Sequence, residues 1–440
     1  MLRVIDIVRT RGISRRTRPL VVLSACAGVT NTLIAIGELA LKEKIAEALV
    51  SVDALEARHA RIARDILEDE VEVERVQHAL REIWEDIRVL IRGIHLLREL
   101  TPKTRDQIQS AGERASSLIF HSALRERLKE SNISVNLYNA REFFVTTNEF
   151  GAARPIIPEI ARQMRKIRSQ LAKGAVGVTQ GFIGRTMSGD TTTIGRGGSD
   201  FSAAIQGVAI DADEIQIWTD VAGIMTCDPR IAPAAWTVEQ ISFHEASELA
   251  FFGAKVLHPE TIWPAVEKGI PVLVLSSREP EKSGTVIVES SDHELPITGI
   301  AVKRSIVLAR IPSSNSIPDP SVQQTIWQAF TESGSAMPLA VSLSVDSALI
   351  ALNDASALPV LRKACEGIAH LEIETDRALI TLVGKGLRHQ AGVAVRIFRA
   401  LGRTNCEMVS FGGSETAFSI VVHNDVANRV VKKLHAEFFE

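Results

Sequence analysis

Short β-branched runs that alternate with stretches of helical apolar period restrict this chain more than any other feature. Leu20–Asn31 (LVVLSACAGVTN) begins as a buried strand and breaks into small residues. Apolar positions then return every three or four residues through TLIAIGELALKEKIAEAL, which makes the segment a strand, a tight loop and a helix. From about Glu38 to Leu128 the chain is rich in Ala, Leu, Glu and Arg with few breakers apart from Pro102. That composition predicts a set of amphipathic helices. The strand-like runs ISVNLYNA, GAVGVTQGFIG, EIQIWTD and IPVLVLSS follow in alternation with helices. The expectation is an α/β fold whose central sheet is mainly parallel and flanked by helices.

The pattern changes near Pro296. ALITLVG, HQAGVAVRIFRALG, NCEMVSFG, AFSIVVH and DVANRVVKKLHAEFF read as strand, helix, strand, strand, helix. A looser copy of the same order runs from Ser305 to about Asp376. Two successive units of one small α+β type indicate a duplicated module rather than further catalytic machinery. The expected division is 1–297 for a catalytic domain, 298–376 for the first module and 377–440 for the second.

Bulk properties exclude several classes. Lys+Arg of 50 against Asp+Glu of 53 leaves a net charge of −3 and no basic domain for nucleic acid. Arg15, Arg16 and Arg18 form a local cluster before a strand, read as a solvated turn. Cys26, Cys227, Cys365 and Cys406 stand singly without metal spacing, as reduced thiols do. The first residues lack the pattern of a signal peptide, and no apolar stretch is long enough for a bilayer. The expected location is therefore cytoplasmic, away from membranes.

The densest chemical signal is GDTTTIGRGGSDFSAA, Gly189–Ala204. Glycines with Thr and Ser put backbone N–H groups around a small anionic volume, and Arg196 adds a planar fork for a carboxylate or phosphate. Asp200 opens an apolar helix, where it can cap the helix or organise cations; a plain glycine turn with an Asp cap is the bland alternative. TDVAGIMTCDPR, Thr219–Arg230, follows a strand directly, where open α/β sheets place ligands, and Asp220, Asp228 and Arg230 ring that loop. Asp228-Pro229 is equally a turn former. In FFGAKVLHP, Phe251–Pro259, Lys255 lies among small and apolar residues and needs a partner for its charge, such as a nucleotide phosphate. His258 reads as a packed or capping residue rather than a catalytic one.

Together with SACAGVTN and SAGERASS, these segments resemble the aspartate kinases of the amino-acid kinase superfamily, over nearly the whole chain. The resemblance is nearest to the monofunctional, lysine-sensitive type, whose C-terminal modules are tandem ferredoxin-like ACT domains. It implies transfer of the ATP γ-phosphate to the β-carboxylate of L-aspartate, with ATP and Mg2+ as cofactors. By position, Ser24 and Thr30 would lie on the phosphate and aspartate side and Glu113 would contact the substrate ammonium. Arg196 would grip its α-carboxylate, and Asp200 would organise the cations. Thr219, Asp220, Met225, Arg230, Lys255 and Val256 would line the ATP site, with Met225 where many relatives have an aromatic residue. Arg196, Asp200 and Lys255 are the expected catalytic set. The attacking carboxylate is already ionised, so no general base is required.

Two departures from the family pattern shape the expectation. MLRVIDIVRTRG does not match the family's Lys-Phe-Gly-Gly-Thr-Ser loop, whose lysine faces the transferred phosphoryl group. A lost preorganised cation costs on the order of 3 kcal/mol, so reduced activity, or a kinase-like ligand-sensing subunit, is the alternative reading. In SSNSIPDPSVQQTIW, Pro318 and Pro320 reshape the effector turn, and Pro338 occupies an acidic position of the family. Lysine feedback at the ACT domains is therefore expected to be altered or weakened. Unpaired sheet edges in such modules favour a homodimer or a dimer of dimers. The expectation is a monofunctional kinase rather than a bifunctional kinase–dehydrogenase.

Overall fold

The computed structural model describes all residues except 13–17, 196, 254–260, 292–294, 313–323, 325–326, 329, 332–337, 345–346 and 367–368. In chain order the first half comprises α1 (Leu2–Ile7), β1 (Leu20–Leu23), α2 (Val29–Leu41), α3 (Ile45–Ile66), α4 (Glu70–Leu97), α5 (Pro102–Gln109) and α6 (Ala111–Arg127). It continues with β2 (Val135–Tyr138), α7 (Ala140–Phe143), α8 (Ile157–Gln163), α9 (Arg165–Ala172), β3 (Val176–Gln180), β4 (Ile183–Arg185), β5 (Thr191–Thr193), α10 (Gly198–Ala209) and β6 (Ile215–Thr219). Then come β7 (Gln240–Ser242), α11 (Phe243–Phe251), α12 (Trp263–Glu267), β8 (Val272–Ser276) and β9 (Thr285–Val288). The last part holds β10 (Gly299–Pro312), β11 (Ala340–Leu343), β12 (Ser347–Leu352), α13 (Leu358–Cys365), β13 (Glu372–Val383), α14 (Val393–Leu401), β14 (Met408–Phe411), β15 (Ala417–His423) and α15 (Ala427–Phe439).

These elements form two compact units. The first comprises Met1–Trp218, Glu260–Val272 and Ser277–Pro280; the second comprises Thr219–Pro259, Leu273–Ser276 and Glu281–Glu440.

In the first unit, β1 pairs with β3 and β3 with β2, all parallel. The helical region predicted between Glu38 and Leu128 is realised as α3 to α6. Asp69 caps α4 by accepting from the Val71 amide at 3.0 Å, and Glu70 and Glu72 add negative charge at the positive end of the helix. Val73, Val76, Leu80, Ile83, Trp84, Ile87, Ile91 and Ile94 recur at helical spacing and are buried. They join residues of α2, α3, α6 and the sheet in one apolar core.

The run GAVGVTQGFIG is not one strand. It breaks after Gln180, and its second piece, β4, pairs antiparallel with β5 as a hairpin separate from the parallel sheet. Phe182 takes φ of 63°, left-handed backbone that a continuous strand does not contain.

In the second unit, β8, β9 and β7 are neighbours, and β7 runs parallel to β9. The C-terminal region forms an antiparallel sheet of order β11-β12-β10-β13-β15-β14. Both copies of the repeated pattern lie in it, joined through β10 and β13, and each has its own core. Val307, Ile311, Ile350 and Leu361 belong to one core, and Ile380, Leu382, Ile397, Phe418 and Leu434 to the other. The four cysteines are free thiols. Among the described residues no helix is long and apolar enough to cross a membrane.

Trp84 is fully buried in the helical core. Trp84→Ala is expected to cost about 3–5 kcal/mol through lost burial and the cavity left behind. Denaturant unfolding checks this, and a change below 1 kcal/mol would show that the helices do not share one core.

Candidate active site

The first unit gathers the residues predicted for the acceptor side. Ser24 follows β1 and is exposed, while Thr30 lies half-buried in the first turn of α2. The turn between them is fastened to the start of α6. Glu113 Oε1 accepts from the Ala25 amide at 3.2 Å, and the Ser116 hydroxyl donates to the Ser24 carbonyl at 2.8 Å. Gly112 permits this approach, because a Cβ there would sit 2.7 Å from the Ala25 Cβ. The Ser24–Ala25 backbone and Glu113, distant in sequence, therefore meet at one corner, and Thr30 follows on the first turn of α2.

Glu113 is buried, and its Oε2 has no hydrogen-bond partner among the described residues. Burial pushes its pKa up to about 7, against a smaller lowering by the Ala25 amide. Such a carboxyl is poised to ionise when a cation arrives.

Asp200 lies in the first turn of α10, which begins after the left-handed Gly197. The Gly181 amide donates to the Leu23 carbonyl at 2.9 Å, while Gly181 itself lies against Ser199, where a Cβ would come within 2.8 Å of its Cα. The end of β1 is thus linked to the start of α10. Burial alone pushes Asp200 up to about 6, and among the described residues no hydrogen bond reaches its carboxylate. Arg196, predicted two residues before this helix, lies outside the described residues.

Two supporting residues escaped the sequence reading. Asp106, fully buried on α5, accepts from the Gly151 amide at 2.9 Å, the Thr193 amide at 2.8 Å and the Thr193 hydroxyl at 2.8 Å. It thereby fixes β5, the strand that leads to Gly195. Gln180, at the end of β3, accepts from the Ala140 amide at 2.8 Å and donates to the Ser117 hydroxyl at 2.7 Å. An acid beside buried Ile108 was the visible signal for Asp106; for Gln180 there was none.

The second unit contains the loop predicted for the nucleotide. Thr219 ends β6, and Asp220 is exposed. Gly223 and Ile224 are buried, and the Ile224 amide donates to the Thr285 hydroxyl at 2.8 Å. Met225 bridges to Thr237 and remains half-buried. Arg230 pairs with its own loop, Nη2 to Asp228 Oδ2 at 2.7 Å and Nε to Oδ1 at 3.0 Å, and holds the Asp228 carboxyl below its usual range. Lys255, Val256 and His258 lie outside the described residues. The preceding Phe251 is held by Lys303, whose Nζ donates to its carbonyl at 3.1 Å.

A parallel sheet with loops and helix starts at its strand ends is a framework for phosphate and carboxylate ligands. The profile of the amino acid kinase family matches residues 1–276, and an ACT domain profile matches residues 380–438. Lysine-sensitive aspartokinase 3 of Escherichia coli is 34% identical over 429 residues, covering 96% of this chain and 92% of that protein. The solved structure of E. coli aspartokinase III with aspartate and ADP, in the R-state, has a TM-score of 0.82 at 31% identity, covering 99% of this chain and 96% of the other. Its T-state, with lysine and aspartate, gives the same values. The chain belongs to the amino acid kinase family, as one of its aspartokinases.

Glu113 yields a pH-dependent expectation. An acid whose folded pKa lies above its unfolded value of 4.5 holds more protons when folded, so its contribution to stability falls as pH rises from about 4.5 to about 7. Glu113→Gln removes that penalty. Thermal melts without ligand are expected to place this variant above wild type at pH 8 and level with it at pH 4. Equal destabilisation at both pH values would contradict the assigned burial.

Proposed function

We propose that this aspartokinase transfers the ATP γ-phosphate to the β-carboxylate of L-aspartate. The product is 4-phospho-L-aspartate, and the step opens biosynthesis of lysine, threonine and methionine. The observation that supports it most is Glu113, a buried acid with an open oxygen beside the Ser24–Thr30 turn. An α-ammonium supplies the positive charge this carboxyl lacks. In this reading Ser24, Thr30, Glu113 and Arg196 bind aspartate, while Thr219, Asp220, Met225, Arg230, Lys255 and Val256 bind ATP. Asp200 and Lys255 work on the phosphates. Residues 1–297 form the catalytic domain, and 298–376 and 377–440 form the two ACT domains.

Asp200 fits a divalent cation. It is a half-buried acid with no hydrogen bond from a described residue, so positive charge beside it offsets the desolvation that raises its pKa. Among the described residues no group of three or more His, Cys, Asp or Glu side chains could hold a metal by itself. Mg2+ would therefore be shared between Asp200 and the phosphates, its common manner of binding. Bound there, Mg2+ neutralises charge on the triphosphate.

The reaction brings together two anions. Its barrier is lowered by fixing the line of attack and by neutralising the transferring group, tasks for the glycine-bordered turn, Arg196 and Lys255. The solved relatives' complexes with ADP, aspartate and lysine support the same ligands here. Assembly as a homodimer or dimer of dimers, in the cytoplasm, completes the proposal. The full-length match to aspartokinases favours it over a purely regulatory subunit.

Hydroxylamine trapping decides the reaction. With MgATP, aspartate is expected to give the hydroxamate and glutamate none. No product with aspartate, or a preference for glutamate, would overturn the reading. In the same assay lysine is expected to inhibit weakly and without marked cooperativity; steep inhibition at low lysine would refute the altered effector turn.

A further inference from the structure

The loop after β6 is not an independent flap on the second unit. Cys227, Ile231 and Ala232 are buried in the apolar core that also contains Ile380, Phe418, Leu434 and Phe438 of the C-terminal module. The floor of the loop is thus module core, and burial there pushes the Cys227 thiol up to about 12.

One polar chain crosses this apolar floor. His435 on α15 and Thr226 in the loop are both fully buried. His435 Nε2 lies 3.1 Å from the Thr226 hydroxyl, and Nδ1 lies 3.3 Å from Glu440 Oε1. The same hydroxyl accepts from the Trp236 amide at 3.2 Å. With the ring proton on Nδ1, facing the carboxylate, Nε2 accepts from Thr226, and every donor in the chain finds an acceptor. The Thr226 backbone is fastened as well, its amide donating to Trp236 at 2.9 Å and its carbonyl accepting from Ile300 at 2.8 Å. Phe439 stacks on the ring at 4.8 Å between centroids and meets Trp236 edge-on at 6.2 Å.

We propose that His435, on the last helix of the C-terminal ACT module, is a positioning residue for the nucleotide loop. It acts through Thr226 and sets the backbone at the adjoining Met225. This rests on the reading of Met225–Arg230 as nucleotide-lining. Its consequence is that the module governs nucleotide affinity through a shared core and one buried hydrogen bond. A histidine serves because its two nitrogens face opposite ways, one towards the loop and one towards Glu440. An apolar residue of similar size would leave the Thr226 hydroxyl proton without its His435 acceptor in the core, with only the Trp236 amide still bonded to that oxygen.

The two amide substitutions separate positioning from packing. A Gln amide reaches the position of Nε2, and an Asn amide reaches that of Nδ1. His435→Gln is expected to keep nucleotide affinity near wild type. His435→Asn is expected to weaken ADP binding and raise the KM for ATP about tenfold, the scale of one lost buried hydrogen bond. The KM for aspartate stays unchanged in both. Thr226→Val removes the same bond from the other side and is expected to copy His435→Asn, whether or not the latter folds well. Equal behaviour of the Gln and Asn variants, or an aspartate KM that moves with the ATP KM, would overturn the proposal. Wild-type protein without aspartate-dependent turnover would instead sink the functional reading, while ADP titration of the variants would still decide the role of His435.

Discussion

A carboxylate taken out of water must find donors, find a cation, or take up a proton. Three acids of the first unit meet that requirement to different degrees. Asp106 accepts three hydrogen bonds and serves as a structural clamp. Glu113 receives one amide from the neighbouring turn and keeps a bare oxygen. Asp200, only half-buried, receives nothing from the described residues and keeps access to solvent. The gradient runs from a carboxylate with three donors, which still leave burial the larger influence on its pKa, to carboxylates with one donor or none. It also explains why the surroundings are so closely fastened, since an under-satisfied buried acid persists only where the framework is fixed by other interactions.

The second unit shows another use of burial. The loop after β6 obtains its shape from the apolar core beneath it and from the Thr285 and Thr226 hydroxyls, rather than from charges on its surface. Two of its charged members, Asp228 and Arg230, neutralise each other in a solvent-facing pair, an arrangement worth little to stability. The pairing of β10 with β13 makes both small modules one sheet, so the loop rests on a broad and continuous base.

Much of this was legible in the sequence, and the limits have physical causes. The β1–α2 unit and the order of the C-terminal modules followed from apolar spacing, and the helical region that became α3 to α6 from its composition and lack of breakers. The break at Phe182 did not, because left-handed backbone at a non-glycine residue leaves no trace in hydropathy. The short strands β5, β7 and β9 were missed since three or four residues carry too little periodicity. Ser24, Thr30 and Glu113 were expected on the substrate side from the family pattern, and the structure joins the Ser24–Ala25 turn to the start of the helix that carries Glu113. Asp106 and Gln180 were passed over, because what matters is which backbone groups they meet, and those lie far away in sequence. Arg196, Lys255 and Val256, central to the proposed chemistry, lie outside the described residues.

The central claim is that Glu113 waits, partly protonated, for the ammonium of an amino-acid substrate. Calorimetric titration of aspartate at pH 7, in buffers of different ionisation enthalpy, tests it most directly. With a carboxyl whose pKa is raised to about 7 ionising when a cation binds beside it, release of a fraction of a proton per site to the buffer is predicted, absent in Glu113→Gln. Binding with no proton exchange, or exchange that survives that substitution, would contradict the account.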